Sequence, residues 1–142
     1  MMYMATDTKA EGTLYLCATP IGNLGDITER VLETLRTVDL IAAEDTRNTL
    51  KLLNHFDIKT PMTSYHEHNK FEKAEELIRQ LREGKNIACV TDAGTPAISD
   101  PGEVLAKRCI EEGIRVTSLP GACALITALT MSGMSARRFV FE

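Results

Sequence analysis

No two cysteines of this chain form a C-x-x-C pair: Cys17, Cys89, Cys109 and Cys123 each stand alone among apolar or small residues. That excludes a disulfide scaffold or a cysteine zinc site and points to compact, reduced thiols in a cytoplasmic protein. No apolar run approaches the ~18 residues of a membrane span, and the first dozen residues lack a signal-peptide core. The sequence therefore predicts no membrane partner, and residues 1–12 read as a disordered polar tail. Positive charge is also short: 16 Lys and Arg against 20 Asp and Glu leave a net charge of −4. With no sequence-wide basic field, any grip on RNA must come from a local patch. Repeats, low-complexity segments and a Ser-His-Asp or Cys-His nucleophile arrangement are all missing.

What is present suits one globular domain: 142 residues, 44% hydrophobic and 25% charged. Strand-like runs at 13–18, 38–43, 62–65, 86–91 and 115–119 alternate with helical patterns at 27–36, 46–56, 69–83, 101–112 and 122–132. Such βα alternation predicts an α/β fold, a three-layer αβα domain around a mostly parallel five-stranded sheet. The near-continuous apolar run Ile87-Ala88-Cys89-Val90 fits a sheet covered on both faces. In the third helix Asn69 is placed to cap and Glu72 to reciprocate, while Phe71, Ala74, Leu77, Ile78 and Leu81 make one core stripe. Glu75 and Arg79, four apart on the opposite face, are spaced for an ion pair. Leu129, Met131 and Met134 are expected to be buried within the domain.

The most informative stretch runs from Asp92 to Gly102, DAGTPAISDPG, between an apolar strand and a helical pattern. Gly94 allows close backbone approach, Pro96 and Pro101 restrict the chain, and the small residues leave space. Asp92 to Ser99 therefore read as a ligand-facing loop. Asp100 to Glu103 read as a capping box, with Pro101 as first helical residue.

In open α/β sheets ligands bind beyond the carboxyl ends of the strands. After the first run comes Thr19 to Asp26, TPIGNLGD, after the second Glu44-Asp45-Thr46-Arg47, and after the fifth Pro120-Gly121-Ala122-Cys123-Ala124. The first loop has neither G-x-G-x-x-G nor a phosphate-loop Lys, which disfavours dinucleotide and Walker-type sites. Asp26 is expected to cap the next helix with Glu29 in reciprocal position, which leaves Pro20, Gly22 and Asn23 unexplained. Glu44 and Asp45 could accept a proton and Arg47 could clamp a substrate; equally, Asp45 or Thr46 could simply cap a helix with Arg47 paired to an acid. His66-Glu67-His68 offers only two nitrogens, so no metal site is assigned, and His55 reads as a commonplace helix-end histidine.

In order and spacing, these four motifs resemble the tetrapyrrole methylase superfamily, and within it the branch that methylates a cytidine 2′-hydroxyl of small-subunit ribosomal RNA. The resemblance covers residues 13 to about 142. It implies an N-terminal S-adenosylmethionine methyltransferase domain over 13–136 and, at 137–142, the start of a connector to a second domain. It further implies a cofactor, S-adenosyl-L-methionine, held between two α/β domains, a homodimer, and small-subunit ribosomal RNA or the subunit itself as partner. By that resemblance Asp92, Ala93, Gly94, Thr95 and Ile98 would hold the methionine part, Cys123 and Ala124 the adenosine, and Pro20 would border the cleft; Gly22 and Asn23 join this set. Glu44, Asp45 and Arg47 are the catalytic candidates: an acid to accept the hydroxyl proton and a cation to clamp substrate. A small-molecule methylase and a non-enzymatic nucleoside-binding domain are the competing readings.

Overall fold

The computed structural model describes residues 10–142; residues 1–9, most of the expected tail, lie outside the described residues. Gly12 is already part of the fold, buried and donating its amide to the Leu81 carbonyl at 2.7 Å. Ten elements follow in strict alternation: β1 (Leu14–Cys17), α1 (Glu29–Thr37), β2 (Leu40–Ala43), α2 (Thr46–His55), β3 (Met62–Ser64), α3 (Lys70–Arg82), β4 (Ile87–Val90), α4 (Gly102–Glu111), β5 (Val116–Leu119) and α5 (Ala124–Met131). Nine of the ten expected runs contain one of them, and the tenth, 27–36, falls one residue short of the end of α1 at Thr37. All strand pairs are parallel, in the order β3-β2-β4-β1-β5.

The period-two alternation of a strand sends its residues into two separate cores. Ile87 and Cys89 join Leu14 and Leu16 against Ala74, Leu77 and Leu81 of α3 and Leu105 and Cys109 of α4. Ala88 and Val90 join Cys17 and Ile41 against Val31 and Leu35 of α1 and Leu53 of α2. The continuous apolar lettering of β4 thus reflects helices on both faces, the three-layer arrangement expected.

Several local expectations are corrected. The side chain capping α1 is Thr28, which accepts from the Val31 amide at 3.0 Å; Asp26 instead lies in a 3₁₀ turn over Leu24–Asp26. Asn69 stands at the start of α3 without a side-chain cap bond. Its Oδ1 accepts from the His66 amide at 2.8 Å and its Nδ2 donates to the Ser64 carbonyl at 3.2 Å, so it fastens the β3 tip. Phe71 is 69% exposed, leaving the core stripe to Ala74, Leu77, Ile78 and Leu81. Glu75 pairs with Arg108 of α4, two contacts at 2.8 Å, rather than with Arg79, because a facing helix offers a better bidentate fit than the next turn. Met131 and Met134 are 80% and 75% exposed, and α5 has no buried residue.

Candidate functional site

Because every strand is parallel, all five tips open on one edge, and the order places β2, β4, β1 and β5 as unbroken neighbours. The four suggestive loops therefore meet. Thr19 and Gly94 form an antiparallel bridge, their amides and carbonyls exchanging bonds of 3.1 and 2.9 Å. The Thr95 hydroxyl donates to the Ala122 carbonyl at 2.8 Å, tying the β4 loop to the β5 loop. On the other side Asn48 Nδ2 donates to the Asp92 carbonyl at 3.3 Å, and the Asp92 amide reaches Glu44 Oε1 at 3.5 Å.

The β4 loop is held by its own acid. Asp100 accepts from the amides of Ala97, Ile98 and Gly102 at 2.9, 3.2 and 2.8 Å. The expected capping box does not form: Pro101 is the N-cap rather than the first helical residue, and Glu103 bonds Asp100 only through its amide, to the carbonyl at 3.1 Å. The Asp100 carboxylate instead holds the first amide of α4 from one residue further back and folds the preceding loop on itself. The result holds two non-glycine residues in left-handed conformations, Ala97 at φ 74° and Ser99 at φ 58°, each costing on the order of 1 kcal/mol or more. Gly94 has φ 86°, and a Cβ there would meet Ile21 Cγ2 at 3.4 Å, in the gap between the β1 and β5 loops. Asp92, Ala93 and Ile98 are exposed on this rim, Cys123 is half-buried, and Ala124 opens α5. Asn23, left unexplained by the sequence, caps the 3₁₀ turn: its Oδ1 accepts from the Gly25 amide at 2.8 Å.

The two neighbouring acids of the second motif have opposite environments. Asp45 caps α2, accepting from the Arg47 amide at 3.0 Å, and also pairs with the Arg47 guanidinium at 3.4 Å. Those bonds hold its carboxyl below the usual range. The bland alternative thus accounts for Asp45, and Arg47 reaches outward, 91% exposed. Glu44 is half-buried, and desolvation raises its pKa against a lowering bond from the Asp92 amide. Carboxylates whose environments separate them in this way suit different tasks.

Between the β1 loop and α2 lies a cleft of about 350 Å³. Thr19, Pro20, Gly22 and Asn23 form one wall, Asn48, Lys51, Leu52 and His55 the other, and Thr91 and Asp92 close its base. The α2 wall was not foreseen. Its signal was available in the spacing of Asn48, Lys51 and His55 along one helical face beside a strand tip. A second missed residue is Tyr65 at the β3 tip, buried, with its hydroxyl donating to the Pro101 carbonyl at 2.6 Å. His66 and His68 stand close, with ring centroids 5.8 Å apart, and the His68 amide donates to His66 Nδ1. Among the described residues no group of three His, Cys, Asp or Glu is arranged to hold a metal.

The profile of the family described as Tetrapyrrole (Corrin/Porphyrin) Methylases matches residues 13–140. The chain belongs to that family. Among curated tetrapyrrole methylase relatives, Ribosomal RNA small subunit methyltransferase I of Synechocystis is 62% identical over 131 residues, covering 92% of this chain and 47% of the relative. The protein of the same name from Haemophilus influenzae is 58% identical, covering 95% and 48%. The chain thus spans about half the length of the curated relatives it matches. Among solved structures, diphthine synthase superposes with a TM-score of 0.72 at 16% identity, covering 91% of this chain and 52% of that one. Uroporphyrin-III-C-methyltransferase from Thermus thermophilus gives 0.64 at 22%, covering 87% and 54%. At those identities the structural likeness shows the tetrapyrrole methylase fold alone.

Proposed function

We propose that this protein is an S-adenosylmethionine-dependent methyltransferase acting on the ribose 2′-hydroxyl of a cytidine in small-subunit ribosomal RNA. The observation that carries it is the meeting of four loops at one sheet edge, in a chain more than half identical to relatives named as small-subunit ribosomal RNA methyltransferases. The cytoplasm, where ribosomal RNA is made into subunits, follows as its place; among the described residues no helix is long and apolar enough to cross a membrane. A homodimer, with further sequence completing the cofactor cleft, belongs to the same reading.

The residues present fit the cofactor. Exposed Asp92 offers a carboxylate to an ammonium group, exposed Ala93 and Ile98 offer apolar contact, and Gly94 keeps open a gap that a Cβ would narrow. Thr95, Cys123 and Ala124 border that gap on the β5 side, with Pro20, Gly22 and Asn23 on the β1 side. S-adenosylmethionine, when bound, supplies a methyl group activated by its sulfonium. The protein's main task is then alignment of the acceptor oxygen, since positioning of reactants alone lowers such a barrier by several kcal/mol. A ribose hydroxyl is weakly acidic and must lose its proton as the new O–C bond forms. Glu44, desolvated and bonded to the Asp92 amide, is the carboxylate suited to take it; Asp45 is engaged as helix cap and Arg47 as a clamp on the substrate backbone.

The test uses the full-length protein with methyl-labelled cofactor, offered small ribosomal subunits, their RNA, and a porphyrinoid. Label at a cytidine 2′-oxygen supports the reading. Label in the porphyrinoid alone replaces it with a small-molecule methylase, and binding without transfer replaces it with a nucleoside-binding domain.

A further inference from the structure

The cleft between the β1 loop and α2 shares Pro20, Gly22, Asn23 and Asp92 with the proposed cofactor rim and extends beyond it along α2. Its base, Thr91 and Asp92, adjoins the loop carrying Gly94, but its outer wall belongs to α2. Three observations mark it as a site in its own right. At about 350 Å³ it has the size of a small-molecule pocket. Thr19, one of its walls, is 3% exposed, and its hydroxyl is the buried side-chain polar atom left without a hydrogen-bond partner among the described residues. A buried hydroxyl left unpaired is a cost that a bound ligand can remove. Third, Arg47, Lys51 and His55 follow one another at four-residue spacing on α2, a basic edge on a chain whose net charge is −4. Lys51 and His55 are exposed and take part in no ion pair among the described residues, so both can meet an incoming anion.

Apolar Leu24 and Leu52, a buried hydroxyl, the Asn48 amide and the flanking cations Arg47 and Lys51, with the His55 imidazole beyond them, together describe one ligand chemistry. It is a flat polar ring joined to phosphates. We infer that this cleft receives the nucleotide to be methylated, its base between the β1 loop and Leu52, with the adjoining phosphates of a single-stranded RNA segment along Arg47, Lys51 and His55. The inference rests on the RNA-methyltransferase reading and deepens it by assigning an acceptor pocket that adjoins the cofactor rim and is walled on its far side by α2. The ribose would then lie above Asp92, whose amide meets Glu44, so that donor and acceptor meet along the β1 loop and Asp92 while the α2 side of the cleft serves the acceptor.

The test compares the wild-type full-length protein with Lys51→Ala/His55→Ala and with Thr19→Val, using small ribosomal subunits for turnover and a short cytidine-containing single-stranded RNA for anisotropy. The double variant removes exposed side chains and leaves the core untouched. It should raise KM for RNA about tenfold and reduce the salt dependence of RNA binding, with cofactor affinity within twofold. Thr19→Val should move two readouts in opposite directions, raising the melting temperature while weakening RNA binding severalfold. Unchanged KM and salt dependence in variants of an enzyme that methylates RNA overturn the pocket and leave the activity standing. Cofactor affinity falling in parallel with RNA affinity also overturns it, because the cleft would then belong to the cofactor. Transfer to a porphyrinoid and not to RNA overturns the underlying activity, and the pocket with it.

Discussion

The two sides of the strand-tip edge are built by different means. Toward β5, every joining bond engages the backbone on at least one side: the Thr19–Gly94 bridge, the three amides held by the Asp100 carboxylate, the Ala122 carbonyl that accepts from the Thr95 hydroxyl. Toward β2, the α2 wall is made of side chains that reach from a helix, with Arg47, Asn48, Lys51 and His55 exposed. Backbone bonds fix a shape and tolerate little change. Exposed side chains on a helix set charge and selectivity, and can be exchanged without harm to the fold. On the proposed function, the first construction suits a rim that holds one cofactor in one pose, and the second a surface that admits a flexible polymer.

The sharpest way to break this contrast is Gly94→Val. At φ 86°, with Ile21 Cγ2 already 3.4 Å from where a Cβ would stand, backbone strain and crowding add. Cofactor affinity should fall roughly 10²–10³-fold by calorimetry, from a few kcal/mol of combined strain and crowding. Near-normal affinity would show that the rim is not shaped by backbone. Next in size is the separation of the two acids. Glu44→Gln should lower methyl transfer on the order of 10²-fold with cofactor affinity nearly unchanged, whereas Asp45→Ala, which removes the α2 cap, should mainly cost about 1 kcal/mol of stability, read as a lower melting temperature.

The pH profile carries the same distinction. The Glu44 carboxyl titrates above its ordinary value because burial disfavours its charge. The rate should therefore rise with pH through that raised pKa, and the limb should vanish in Glu44→Gln. For stability the sign is reversed: ionising Glu44 costs the fold something above that pKa and nothing below the unfolded value, so Glu44→Gln should be slightly more stable at neutral pH. A melting series from pH 4 to 8 checks it; reversed roles for the two acids would sink the assignment.

Asp100→Ala, which strands three amides, should cost about 2 kcal/mol by denaturant unfolding and loosen the cofactor rim more than the α2 wall. The smallest effect concerns the thiols. Burial pushes Cys17 and Cys109 up to about 12 and Cys89 higher still, so near pH 8 a soluble alkylating agent should modify Cys123 alone of the four. That modification should weaken cofactor binding severalfold while sparing RNA binding; the opposite pattern would exchange the two sides of the rim.

Legibility in the sequence followed the range of the forces involved. All ten elements were visible because periodicity and turn chemistry act within a few residues. Convergence of the loops was legible too, since parallel strands point their carboxyl ends the same way whatever their order. Caps were less so: Thr28 and Asp26 are both competent two residues apart, and only the 3₁₀ turn held by Asn23 decides between them. α3 and α5 mark the limit of the method. Both carry apolar residues, yet α3 buries Ala74, Leu77, Ile78 and Leu81 against α4 and the sheet, while α5 buries none. Apolarity says that a surface would gain from being covered, not what covers it. The α2 wall escaped notice for a related reason, since Lys51 and His55 acquire meaning only from the β1 loop opposite, some thirty residues away in sequence.

Residue order alone settled the alternation of strands and helices, the two-faced burial of the sheet and the loops able to face a ligand, because each depends on spacing along one stretch of chain. Tertiary structure decided which loops touch, which of two adjacent acids is free to act, and that a cleft with an unpartnered hydroxyl lies beside the rim. Those outcomes depend on distances across the fold between residues that local sequence leaves independent, so only the strand order β3-β2-β4-β1-β5 could bring them together.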